Sequence, residues 1–177
     1  MKKTELTSLL REYVKSNLSP TKAEQNLVTS LYAAFKSTLG DGCLLIGSYA
    51  RFTASRPLHD LDILVVSGKF DPNNLHPQTV LTDLHNNIQR NFQNPTKYQT
   101  NISQQTHSIT VSFFENGQEK FAVDIVPAYT SGSKNEYGDD IYWVPEILKA
   151  GKRNRQARYE EFSKTKKSEL EWWLKSD

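Results

Sequence analysis

The apolar positions of this chain change their period several times, and each change marks an element. Leu6, Leu9, Leu10, Tyr13 and Val14 recur at three- and four-residue intervals, the spacing of one helix face. Ser19-Pro20-Thr21 breaks that stripe and supplies a cap, after which Leu27, Val28, Leu31, Tyr32 and Phe35 resume it. Gly40-Asp41-Gly42 ends the second helix. Positions 43–46 are apolar and stop at Gly47, as a short buried strand would. Positions 61–66 are almost wholly apolar, which predicts a central strand covered on both faces. Between 72 and 94, Val80, Leu81, Leu84, Ile88 and Phe92 return to the helical period. Runs 108–114 and 120–126, rich in β-branched and aromatic residues, flank Asn116-Gly117 and predict a hairpin. A basic, polar stretch from Lys149 leads into a last helix carrying Phe162, Leu170, Trp172 and Trp173. No internal repeat is present. The pattern is α/β (α+β): a small mixed sheet packed against helices, with a long N-terminal helix. It divides into N-terminal helices on the core (1–40), the core itself (41–145) and a basic linker with a C-terminal helix (146–177).

Composition sets wider limits. The 177 residues contain no long Pro, Gly or Ser tract and suffice for one domain or one large lobe with a real core. Lys+Arg 22 against Asp+Glu 20 leaves a net charge of +2, too small for a protein that coats nucleic acid through its overall charge. The one cysteine, Cys43, has no internal disulfide partner and lies in an apolar run, which fits a reducing compartment. Glu5, Arg11 and Glu12 interrupt the apolar segment a signal peptide needs, and no stretch has the length of a membrane span. A cytoplasmic protein with no membrane partner is expected.

The candidate chemistry lies in three carboxylates. Side chains two apart on a strand share a face, so Asp60 and Asp62 project together from the start of the 61–66 strand. Such a pair resists joint ionisation unless a cation lies between its members. Read alone, it also fits two solvated carboxylates at a strand entrance, Asp60 capping a turn. Asp124 stands inside Phe121-Ala122-Val123-Asp124-Ile125-Val126, where a carboxylate is costly unless coordinated or paired with a buried Arg or Lys. On adjacent strands the three would form a two-metal cage for Mg²⁺ or Mn²⁺, suited to nucleotidyl transfer. Gly47 lets the backbone approach a ligand closely, and the Ser48 hydroxyl with the following amides suits phosphate oxygens.

The run from Gly47 to Asp62, Gly-Ser-Tyr-Ala-Arg-x-Thr-Ala-x-Arg-Pro-Leu-x-Asp-x-Asp, followed by Val123-Asp124-Ile125-Val126-Pro127-Ala128-Tyr129, resembles the polymerase-β-like nucleotidyltransferases. Within them it is most similar to the bacterial CD-NTases, the cyclic oligonucleotide synthases of CBASS antiphage defence, relatives of oligoadenylate synthase and cyclic GMP-AMP synthase. The Ser48 to Asp60 interval fits that branch, and the likeness covers roughly 27–143. It implies a polymerase-β-like core, with Asp60, Asp62 and Asp124 as catalytic metal ligands for two ions. Asp124 would be nearest the attacking hydroxyl, and Gly47 and Ser48 would grip the donor's β and γ phosphates. Nucleoside triphosphates are then the substrates. A second lobe, or the regulatory and effector proteins of a defence operon, are the implied partners.

Two positions depart from the family pattern. Phe52 stands where glycine is common, and either narrows the loop over a triphosphate or packs on the sheet. His59 stands where serine is common, and either contacts a phosphate or faces solvent. The family's second, helical lobe follows the third aspartate, whereas this sequence ends at Asp177, as a truncated catalytic lobe or a minimal member would. Trp172 and Trp173 cannot both face one small core; the N-terminal helices or another lobe would cover them. The basic run 149–158 lacks the aromatic interleaving of single-strand binders, so no nucleic-acid requirement is expected. His76, His85 and His107 lack metal-ligand spacing. The alternatives to a second-messenger synthase are transfer to a protein, tRNA or small-molecule acceptor, and a nucleotide-binding lobe without turnover.

Overall fold

A computed structural model describes residues 3–71, 73–148 and 156–163. The first helix, α1 (Lys3–Tyr13), runs into a π-helical turn, Val14–Leu18, closed by the Ser19 N–H on the Val14 carbonyl at 2.9 Å. Its last carbonyls are satisfied from a distant loop: the Arg56 N–H donates to Leu18 and the Arg56 Nε to Asn17. Helix α2 (Lys22–Leu39) begins at the expected cap as a full capping box. The Thr21 hydroxyl accepts from the Glu24 N–H, and the Glu24 carboxylate accepts from the Thr21 N–H.

Strand β1 (Cys43–Ile46) is followed by a short helix, α3 (Gly47–Arg51), then β2 (Asp60–Lys69) and α4 (Pro77–Asn91). The remaining strands are β3 (Gln99–Gln104), β4 (Ile109–Glu115), β5 (Gln118–Lys134), β6 (Asp140–Leu148) and β7 (Gln156–Ser163). They form one seven-stranded mixed sheet of order β1-β2-β5-β4-β3, with β6 on β5 and β7 on β6. Among the described residues only β2 and β5 pair in parallel; the other ladders are antiparallel. Strand β5 spans the sheet because two strands share one of its edges: β4 leaves it at Ile125 and β6 takes over from Tyr129.

One sheet face is covered. Leu61, Ile63 and Val65 of β2, with Val123 and Ile125 of β5 and Val111 and Phe113 of β4, pack beneath Val28, Leu31 and Phe35 of α2 and Leu81 and Ile88 of α4. Stacked Phe35 and Phe92 (centroids 4.2 Å) continue edge-on to Phe113, itself stacked on Phe121 at 4.5 Å. At about 25 cal/mol per Å² this cluster is the main stabilising term of the fold. The opposite face holds a smaller cluster of Ile46, Leu64, Ala128 and Val144.

The sequence patterns and the structure differ in several places, and α3, β3 and β6 have no counterpart in those patterns. The expected hairpin forms, but its second strand runs on to Lys134, because β2 and β6 each offer a further edge to pair. Phe162, expected on a helix, belongs to β7, whose antiparallel ladder with β6 satisfies a backbone edge that a helix would leave open. The apolar stripe of α1 is exposed, Leu9, Leu10 and Tyr13 all above half, since the π turn and extended Ser19 lead the chain away before α2 docks. The basic stretch 149–155 and the Leu170, Trp172 and Trp173 helix lie outside the described residues.

Candidate active site

The parallel register of β2 and β5 sets Asp62 directly beside Asp124, and Asp60 beside Ala122. The two-residue strand period then places Asp60, Asp62 and Asp124 on one face, the face away from α2 and α4. The His59 carbonyl accepts the Ala122 N–H at 2.8 Å and locks the start of this ladder; the residue itself is exposed. Asp60 is exposed, whereas Asp62 and Asp124 are half-buried. On the other edge of β5, Thr110 pairs opposite Asp124 and donates its hydroxyl to Oδ1 at 2.5 Å. The charged partner considered for Asp124 is therefore replaced, in this structure, by a hydroxyl. Composition and periodicity gave no sign of Thr110; the hairpin register finds it only once both strands are required to bury the same face, which shifts the ladder by one residue.

Asp62 is the electrostatic centre of the group. Burial, and then the charges of Asp124 and Asp60, push its carboxyl above the usual carboxylate range, with Arg51 pulling it partly back. Gly47 stands against this carboxylate. Its φ is +66°, and a Cβ there would lie 2.8 Å from the Asp62 Cγ and closer still to Oδ2, which no real side chain tolerates. Only glycine lets the backbone between β1 and α3 approach the carboxylate so closely. Ser48 follows in the single turn of α3, and its carbonyl accepts the Thr53 N–H at 3.0 Å. Phe52 closes the turn with φ 60° and is 89% exposed, so it does not pack on the sheet.

Among the described residues, no three Asp, Glu, His or Cys side chains already converge tightly enough to enclose an ion. The fit to a divalent cation is one of charge: three carboxylates on one face, the central one destabilised by the other two, a repulsion that a bound dication relieves. A cavity of about 490 Å³ opens on the same face by Val66, Thr130 and Tyr142. Its β2 wall, Val66, is about 13 Å along the strand from Asp62, and its Leu44 wall stands opposite the apolar Leu64; none of the three carboxylates lines it. No described helix is long and apolar enough to cross a membrane.

Neither a scan of protein-family models nor a search of curated proteins gives a match. Solved structures do match. The CD-NTase CdnG of Bradyrhizobium diazoefficiens, in complex with GTP, aligns with a TM-score of 0.58 at 17% identity, over 89% of this chain and 43% of its own. Elizabethkingia meningoseptica CdnE, a cyclic dinucleotide synthase with GTP and Apcpp, gives 0.51 at 17% identity over 85% and 54%. CdnC of E. coli MS115-1, in its complex with HORMA-deltaN, gives 0.50 at 22% identity over 88% and 46%. This chain spans about half the length of each of these three proteins. At such identities the likeness is one of fold: the chain has the polymerase-β-like fold of the CD-NTases.

Proposed function

We propose that this chain is the catalytic lobe of a Mg²⁺- or Mn²⁺-dependent nucleotidyltransferase that joins nucleoside triphosphates into a cyclic or linear oligonucleotide second messenger and releases pyrophosphate. The observation that carries this reading is the register of Asp62 beside Asp124, with Asp60 on the same face and the Gly47 backbone against Asp62. Asp60, Asp62 and Asp124 would hold two ions, which supply charge neutralisation at the triphosphate. The Gly47-Ser48 backbone and the Ser48 hydroxyl bind the β and γ phosphates. Asp124, oriented by Thr110, takes the proton of the attacking hydroxyl as its oxygen bonds the α phosphorus and the bond to pyrophosphate breaks. The GTP in the CdnG and CdnE structures supports a triphosphate substrate. A cytoplasmic setting and a role in antiphage defence extend the same reading.

Incubation with labelled triphosphates and Mg²⁺ or Mn²⁺ tests it. A labelled oligonucleotide and pyrophosphate are expected, with the rate reduced about 100-fold or more in Asp124→Asn. Absence of any nucleotide product from the unaltered protein would sink the proposal. Label transferred to an added protein, tRNA or small molecule would select acceptor transfer instead.

A further inference from the structure

Phe52 occupies a position that local physics disfavours twice. Its backbone is left-handed, φ 60°, a region an L side chain enters at a cost. The residue is 89% exposed, so little burial offsets that cost. Outliers of this kind collect where a chain binds something. The turn that displays the ring is well fixed: the Phe52 N–H donates to the Tyr49 carbonyl and the Thr53 N–H to the Ser48 carbonyl. With five residues in α3, Phe52 lies about 7.5 Å from Gly47 along the helix axis. That separation is within the span of a nucleoside triphosphate whose phosphates rest on Gly47 and Ser48. Its neighbours in the loop, Arg51, Thr53 and Ser55, are exposed and polar. A flat aromatic face beside a cationic residue is what a nucleobase stacks on.

We propose that Phe52 is the stacking platform for the base of the bound nucleoside triphosphate, so that one short loop holds both phosphates and base. This rests on the reading of the site as a triphosphate site. The test is calorimetric titration of the full chain with ATP and with inorganic tripolyphosphate, each with Mg²⁺. Phe52→Ala and Phe52→Gly should weaken ATP binding about tenfold or more, the size expected of base stacking, while tripolyphosphate binding stays unchanged and Phe52→Trp retains ATP. Phe52→Gly should also melt about 2–4 °C higher, because glycine relieves the left-handed strain. ATP affinity unchanged in Phe52→Ala overturns the proposal, and so does an equal loss for ATP and tripolyphosphate, which would mean that the ring only holds the loop. An unaltered chain that binds neither probe fails at the triphosphate site itself; one that binds both but ignores the ring refutes the stacking role alone.

Discussion

Asp62 shows how one residue opposes the fold that holds it. Burial and two neighbouring carboxylates raise its folded ionisation range above that of the unfolded chain. Between those two ranges the folded state binds more protons, so this contribution makes stability fall as pH rises. The penalty is absent below the unfolded range and complete above the folded one. Asp62→Asn removes it, and thermal melts at neutral pH with a chelator present should show the variant about 2–4 °C above wild type, the gain shrinking on acidification. A variant melting lower than wild type under those conditions would refute this account. Mg²⁺ should raise the wild-type midpoint and leave that of the variant unchanged. Gly47 belongs to the same balance, since its missing side chain is what allows backbone and carboxylate to share the space.

Among the elements, the capping box of α2 reaches beyond its own helix. The Glu24 carboxylate caps Thr21 with one oxygen and accepts the Leu58 N–H with the other at 3.0 Å, tying α2 to the loop that leads into Asp60. Burial would raise the Glu24 carboxyl, but hydrogen bonds from Thr21 and Leu58, with the charge of Arg56, hold it below its ordinary range. Its stabilising contribution is present above the unfolded range and lost as pH falls through the folded one, opposite in sign to that of Asp62. Glu24→Ala should cost about 1–2 kcal/mol, read as a lower urea midpoint with an unchanged slope. The hairpin carries a second lesson. Asn116 and Gly117, both at positive φ, make a two-residue turn with Glu115 opposite Gln118. That turn alone would set Thr110 opposite Val123 and turn the apolar residues of the two strands to opposite faces. An extra residue at Lys120 shifts the ladder by one, so that Phe113 meets Phe121 and Thr110 meets Asp124. Turn and period were both legible in the sequence; the bulge that reconciles them needs the requirement that both strands bury the same face.

Across the whole molecule, the sheet separates stability from chemistry. The face under α2 and α4 is the core, and the other carries the carboxylates. Leu31→Ala, at a fully buried position, should cost about 2–5 kcal/mol, whereas Leu9→Ser on the exposed stripe of α1 should stay within about 0.5 kcal/mol, compared by chemical denaturation. A cost at Leu9 matching that at Leu31 would show that the stripe is buried in solution. The two helical stripes looked equivalent in the sequence because periodicity marks an apolar face without naming what covers it. By itself the sequence determined what short-range geometry dictates: a cap at Ser19-Pro20-Thr21, helices α2 and α4, the Asn116-Gly117 turn, and Asp60 and Asp62 sharing a face. Only the tertiary structure decided that β2 lies parallel to β5 with Asp62 beside Asp124, that β6 and β7 extend the sheet, and that α1 and Phe52 are exposed. Backbone stereochemistry fixes which side chains of one strand point together, but neighbour and register are chosen by the packing of the whole sheet, through residues far apart in the chain.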